Sequence, residues 1–133
     1  MTGFKDLMAE AGGRVEPVSV EELKQRQEAG EAILVVDVRE RHEFEKGHVP
    51  GAINIPRGWL EVRAAGDSPG ANPVIAENPD ACVVTYCTQA PGARSLFGAV
   101  TLMDLGFTNV LALRGGLNEW SENGYDVDSG RGD

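Results

Sequence analysis

The chain has 133 residues, of which 41% are apolar and 25% charged, and a formal net charge of −9. That length fits one compact domain, and the acidic balance, with no basic stripe, argues against nucleic acid as a partner. No apolar run reaches the roughly 18 residues of a membrane helix, and the start, Met1-Thr2-Gly3-Phe4-Lys5-Asp6, lacks the basic and apolar regions of a secretion signal; a cytoplasmic protein with no membrane partner is expected.

Phe4, Leu7, Met8 and Ala11 recur at helical spacing and Gly12-Gly13 follows them. Residues 1–15 therefore read as a short helix with a glycine stop, or as a partly ordered tail; the residues leave that choice open. Pro17-Val18 opens a candidate strand. Ser19 with Glu22 three residues on is a capping box, so a helix is predicted over Val20–Glu28, ended by Gly30. Ile33–Asp37 is a continuous apolar run of strand length, followed by a short helix over Arg41–Lys46 and a weaker strand over Ala52–Ile55. The turn-rich stretch Gly66–Pro79 reads as an irregular excursion.

Cys82–Tyr86 is the next strand, Ala93–Leu105 a helix with Leu96, Phe97, Val100 and Met103 at helical spacing, and Gly106 its stop. Val110–Leu113 is a further strand, and Leu117–Glu122 a last helix. Apolar runs without alternation belong to parallel strands covered on both faces, and strand, helix and strand in about thirty residues make a βαβ unit. The predicted class is α/β: a mostly parallel sheet of about five strands with helices on both faces. The domain is expected over residues 16–127, with a mobile C-terminal tail over 128–133. The tail's Arg131-Gly132-Asp133 resembles an adhesion tripeptide but carries no weight in a protein read as cytoplasmic.

The two cysteines are Cys82 and Cys87. They form no Cys-x-x-Cys pair, and His42 and His48 lie far from both in sequence, so neither a metal nor a cofactor is expected. A disulfide is also disfavoured: five extended residues span roughly 16 Å, whereas a bridge needs Cα atoms within about 7 Å. Cys82 reads as a core residue of its strand.

Cys87 is different. It stands at the carboxyl end of a strand, and the loop Thr88-Gln89-Ala90-Pro91-Gly92 leads directly into a helix. Ligands of open α/β sheets bind there. The unpaired N–H groups of the first helical turn, the helix dipole and loop N–H groups turned inward all favour an anion at that sulfur. Arg94 is a candidate for added positive charge. The predicted site is thus Cys87 as nucleophile with Thr88, Gln89, Ala90, Gly92, Ala93 and Arg94 as its anion-binding loop.

Further motifs carry a resemblance. The run Asp37-Val38-Arg39, Glu43-Phe44, Gly47-His48-Val49-Pro50-Gly51-Ala52 and Asn54-Ile55-Pro56 is similar to the N-terminal signature of rhodanese domains. Gly106-Phe107-Thr108-Asn109-Val110 and Leu113-Arg114-Gly115-Gly116-Leu117-Asn118-Glu119-Trp120 resemble the C-terminal part. The resemblance covers Glu16 to Val127. It implies a thiosulfate sulfurtransferase, in which the cysteine at the place of Cys87 takes sulfane sulfur from a small anionic donor and passes it, as a persulfide, to cyanide or a thiol. A sulfur-relay protein is a further candidate partner. Covalent catalysis of this kind uses an activated nucleophile.

One departure stands out. Common single-domain members place four residues between the cysteine and an Arg-Ser pair, and related phosphatases and arsenate reductases place five; here six residues separate Cys87 from Arg94. The alternatives are therefore a non-catalytic or regulatory binding module and, behind it, an oxyanion enzyme. Asp37 and Arg39 are read as supporting the loop through hydrogen bonds, His48 as a capping or hydrogen-bonding residue, Gly115-Gly116 as a tight turn, and Trp59 as packing or lining the mouth of the site.

Overall fold

The computed structural model describes residues 2–90 and 92–132. Its centre is a parallel sheet of five strands, β1 (Glu16–Val18), β2 (Ile33–Asp37), β3 (Ile53–Asn54), β4 (Cys82–Tyr86) and β5 (Asn109–Leu113), in the order β1-β5-β4-β2-β3. The fold is α/β, with helices on both faces. β2, β4 and β5 lie inside the sheet, which is why their sequences are mostly apolar: nearly every residue faces one of two cores.

Alternate side chains serve alternate faces. Val35, Val84, Leu111 and Leu113 pack with Val20, Leu23, Phe44 and Trp120, from α2 (Val20–Glu28), α3 (Arg41–Lys46) and α7 (Gly116–Glu122). Val36, Val83, Val110 and Ala112 pack with Leu60, Ile75, Ala99 and Leu102, from α4 (Leu60–Ala64), α5 (Pro73–Ala76) and α6 (Ala93–Asp104). α1 (Phe4–Arg14) lies along α6, with Phe4 edge-on to Phe97 at 6.2 Å.

Three segments differ from the sequence reading. α1 runs through Gly12-Gly13 to Arg14. The glycines cost helix propensity, but they lie between buried Ala11 and Val15, and Arg14 Nη2 donates to Asp104 Oδ1 at 2.8 Å. The excursion from Gly66 holds a one-turn helix, α5, whose start has standard chemistry: Asn72 Oδ1 accepts from Val74 N at 3.0 Å and Pro73 takes the first helical position. The C-terminal segment is pinned, for Asp128 and His48 exchange two backbone hydrogen bonds of 2.9 Å and Gly130 N donates to Glu45 O at 2.8 Å. Asp133 of the tripeptide lies outside the described residues.

Candidate active site

β4 is central, flanked by β5 and β2, and Cys87 follows its last residue. The chain turns back there through a loop and enters α6. Cys87 is 4% exposed. Its thiol donates to Ser95 Oγ at 3.5 Å, and Ser95 Oγ donates to Gly92 O at 2.9 Å. Thr85 Oγ1, on β4, donates to Ser95 O at 2.9 Å and so ties the strand to the first turn of the helix. Gly92 has φ +71°, in the left-handed region, and a Cβ there would come within 3.1 Å of Ser95 Oγ.

The loop is held from behind by α7. Leu117 N donates to Cys87 O at 3.0 Å and Asn118 N to Thr88 O at 2.9 Å. These are first-turn N–H groups, which have no partner within their own helix. The approach demands a glycine at Gly116: φ is +59°, and a Cβ would fall 2.6 Å from Cys87 O and 2.8 Å from Thr88 O. Asn118 Nδ2 also donates to Gln89 Oε1 at 3.0 Å. With these carbonyls turned to α7, the backbone N–H groups of Thr88, Gln89, Ala90, Gly92, Ala93, Arg94 and Ser95 bond to no other described residue. Among the described residues they are a run of unpaired donors following Cys87 in the chain, the composition of an anion nest. Pro91, which lacks an N–H, lies outside the described residues.

A cavity of about 170 Å³ opens beside Cys87. Among the predicted loop residues, Gln89, Ala90 and Gly92 line it with Cys87, and Ser95 and Gly116 border it too. Arg94 is turned to α3 and does not line the cavity. It forms a bidentate pair with Glu43, Nη1 to Oε1 at 2.7 Å and Nη2 to Oε2 at 3.2 Å, and Nη2 also donates to Thr88 Oγ1 at 3.3 Å. Arg94 and Thr88 thus brace the loop against α3, and Ala93 begins α6. The Arg94 guanidinium, then the Glu40 N–H, hold the Glu43 carboxyl down to about 2 against the opposing effect of burial. Glu43 is a structural anchor that the sequence reading took only as part of a signature.

Asp37 and Arg39 bind each other. Asp37 Oδ1 accepts from Arg39 N at 2.9 Å and Oδ2 from Arg39 Nη2 at 2.7 Å, with both residues buried. Arg39 Nη2 also donates to Gly47 O at 2.6 Å, at the end of α3. Asn54 Nδ2 donates to the carbonyls of Asp37 and Arg39 at 3.1 and 2.9 Å. The pair fixes the β2–α3 connection, and its link to the loop runs through Val38 N, which donates to Tyr86 O at 3.1 Å. The Tyr86 hydroxyl accepts from Val49 N at 3.0 Å, and burial, followed by the neighbouring Asp37, pushes its phenol strongly up. His48 Nδ1 lies 2.8 Å from Phe44 O and its ring stacks on Phe44 at 3.7 Å. Trp59 is half-exposed under the Arg63 guanidinium, in a different cleft.

Cys82 is half-buried, packs on the α2 side, and has a thiol pushed up by burial; both cysteines are free. Among the described residues no cluster of three or more His, Cys, Asp or Glu side chains gathers, and no helix is long and apolar enough to cross a membrane. What the geometry offers is a buried thiol on a small cavity, followed by a loop whose backbone N–H groups bond to no other described residue.

A model of the rhodanese-like domain matches residues 19–123. The chain belongs to the rhodanese-like family. A sulfurtransferase of Allochromatium vinosum is 33% identical over 114 residues, covering 85% of this chain and 94% of that protein. A putative sulfur carrier protein of Bacillus subtilis is 30% identical over 113 residues, 85% of this chain, but the match spans only 55% of that longer protein. Among solved structures, a Rhodopseudomonas palustris protein of unknown function, described as a possible tyrosine phosphatase, superposes with a TM-score of 0.87 at 30% identity, covering 96% of each chain. The human single-domain sulfurtransferase superposes with a TM-score of 0.69 at 31% identity, covering 81% of this chain and 96% of its own. Arg39, Gly116 and Trp120 of the rhodanese signatures are all structural here, and each lies buried or against the loop.

Proposed function

We propose that this rhodanese-like protein is a sulfurtransferase that carries sulfane sulfur as a persulfide on Cys87. The observation that supports the reading most is the Cys87 sulfur on a cavity, beside Ser95 Oγ and followed by a run of backbone N–H groups that bond to no other described residue. The Cys87 thiolate attacks the outer sulfur of thiosulfate. A new S–S bond forms, the donor's S–S bond breaks, and its electron pair leaves with sulfite. A thiolate or cyanide then attacks the terminal sulfur, and the pair of that S–S bond returns to Cys87. Preorganised donors around the sulfur stabilise the anion in each state without reorganising.

Intact-mass measurement tests this. Thiosulfate should add one sulfur atom to the protein, cyanide should remove it, and Cys87→Ser should show no gain. Absence of loading with thiosulfate, mercaptopyruvate and glutathione persulfide alike would refute the proposal and favour a binding module.

The oxyanion reading has one point in its favour, the similarity to the possible phosphatase. Against it, phosphoryl transfer relies on cations clamping the transferring group, and the loop's own Arg94 is committed to Glu43 and does not border the cavity, which leaves Arg114 as the charged residue on its lining. Hydrolysis of an aryl phosphate by the wild-type protein, lost in Cys87→Ser, would restore that reading.

A further inference from the structure

Trp59 is the largest of the exposed apolar side chains, 52% exposed, and nothing in the sulfur chemistry uses it. It follows β3 in a short turn over Arg57–Trp59 and lines a cleft of about 340 Å³. That cleft shares no lining residue with the cavity beside Cys87. The Arg63 guanidinium, also on the lining, lies over the Trp59 ring, 5.3 Å from its centroid. Arg63 is held in turn: Nη1 donates to Gly70 O at 3.1 Å, and Asn72 N donates to Arg63 O at 2.7 Å. These bonds tie the excursion after α4 back onto it. Arg63 forms no ion pair among the described residues.

Two side-chain amides on the lining each have one end fixed. Asn54 Nδ2 donates to the carbonyls of Asp37 and Arg39, which leaves Oδ1 as an acceptor. Asn72 Oδ1 accepts from Val74 N, which leaves Nδ2 as a donor. The bonded end of each amide is identified by its partner, so the two remaining ends are not interchangeable. The cleft thus offers one acceptor and one donor beside an aromatic face, the complement of the edge and the plane of a heterocyclic base. Two cations and one carboxylate share the lining: Arg63, Arg41 and Glu40. Arg41 is exposed and meets Glu45 through one contact of 3.2 Å, which leaves most of its donors open.

We infer that the Trp59 cleft binds a purine nucleoside monophosphate. The base stacks on Trp59, whose two fused rings match a purine in area, and bonds along its edge to Asn54 Oδ1 and Asn72 Nδ2. The phosphate meets the guanidiniums of Arg41 and Arg63. Aromatic faces and guanidinium planes are the surfaces on which unpaired bases lie, and small-molecule sites begin at roughly 300 Å³. A polynucleotide is a poor fit, because its many phosphates would meet a chain of net charge −9. A single phosphate beside two guanidiniums is governed by them, since exposed charges farther than about 10 Å away are screened. No bond is made or broken at this site, so its occupancy is independent of the state of Cys87.

The test is titration of the whole protein with AMP, UMP, adenosine, ribose 5-phosphate and benzoate, read by calorimetry and by quenching of tryptophan fluorescence. Trp120 is 1% exposed, so quenching reports Trp59. AMP should bind saturably with Kd below about 1 mM. Adenosine should bind about threefold more weakly, through loss of an exposed ion pair. Ribose 5-phosphate should bind at least about tenfold more weakly, through loss of the stack, with UMP in between. Trp59→Ala should weaken AMP about tenfold with a melt near wild type, while Trp59→Phe, which keeps a ring, should retain most of the affinity. Arg63→Lys keeps the charge but loses the planar fork, so it should fall between wild type and Trp59→Ala. Cys87→Ser should bind AMP as wild type does. Absence of saturable AMP binding below that concentration, or affinity unaltered in Trp59→Ala, would overturn the site. Ribose 5-phosphate, UMP or benzoate binding as tightly as AMP would overturn the ligand class. Loss of AMP binding in Cys87→Ser would place the nucleotide at the sulfur and refute the cleft.

Discussion

Gly116→Ala probes the contact that sets the loop. The glycine has φ +59°, and an added Cβ would fall 2.6 Å from Cys87 O and 2.8 Å from both the carbonyl carbon and oxygen of Thr88. The conformational penalty for alanine in the left-handed region is roughly 1–2 kcal/mol. The obstructing atoms are all backbone, so no rotamer change relieves the overlap, and forced displacement of a packed segment adds about 1–3 kcal/mol. The sum, about 3 kcal/mol, corresponds to a fall in Tm of roughly 10 °C for a domain of this size. Relief by moving the loop also lengthens the bonds from Leu117 N and Asn118 N and shifts Cys87. A misplacement approaching ~1 Å costs up to about a hundredfold in rate. Gly124→Ala is the control: its φ is +79° but nothing lies within 4 Å of the added carbon, so it should lose only about 1 kcal/mol and keep full transfer. Thermal melts and persulfide loading on both variants decide the matter. If Gly116→Ala melted with Gly124→Ala and loaded sulfur at the wild-type rate, the steric account of the turn would be wrong.

Cys87→Ser should abolish sulfur transfer with a melt near wild type, while Cys82→Ser, on the α2 side of the sheet, should keep most of the activity; a donor–acceptor assay beside a thermal melt checks both. Arg94→Ala and Glu43→Gln should each destabilise by about 1 kcal/mol, because the pair is bidentate but partly solvated, and the double variant should cost little more than either. A double-mutant cycle with no coupling would show that the bond contributes nothing. Glu43 also sets an acid limb: its folded-state value near 2 lies below the ordinary carboxylate value of 4.5, so its contribution is complete above the unfolded-state value and is lost as pH falls from there toward about 2. The stability gap between wild type and Glu43→Gln, measured by denaturant melts, should therefore narrow over that window.

The fold was legible in the sequence where one physical signal dominated. β2 and β4 begin and end where the continuous apolar runs Ile33–Asp37 and Cys82–Tyr86 do, and α2 starts at its predicted N-cap, Ser19 Oγ accepting from Glu22 N at 3.0 Å, although the Glu22 carboxylate pairs with Arg26 instead of closing the capping box. It was less legible where local chemistry competes with tertiary contact. Gly12-Gly13 reads as a stop, and only the packing against α6, distant in sequence, explains why the helix continues. α5 could have been found from Asn72-Pro73, a cap followed by proline, had the many turn formers around it not masked the signal. In the site, the position of Cys87 after a strand and before a helix was readable. The partner of Arg94 was not: Glu43 lies 51 residues away, and spacing within the loop carries no information about α3. Arg114 was visible only as part of a signature, because its place on the cavity rim depends on β1, β4 and β5 lying in parallel order.

The loop's anion site depends on how α7 uses its first turn. A helix N-terminus placed beside a nucleophile is itself an anion site, and in a chain of net charge −9 such local dipoles matter more than the overall field, which screening confines to about 10 Å. Here the N–H groups of Leu117 and Asn118 do not face the cavity; they are taken by the carbonyls of Cys87 and Thr88. That arrangement fixes which way the two peptide groups point. A peptide whose C=O is turned to α7 presents its N–H to the opposite side, because the two lie on opposite edges of a planar unit. Engaging the carbonyls thus directs the amides of Thr88 and Gln89 away from α7. The positive end of α7 thereby fixes the orientation of the first two loop peptides after Cys87, and the glycine at Gly116 is the condition for the two backbones to come close enough to do so.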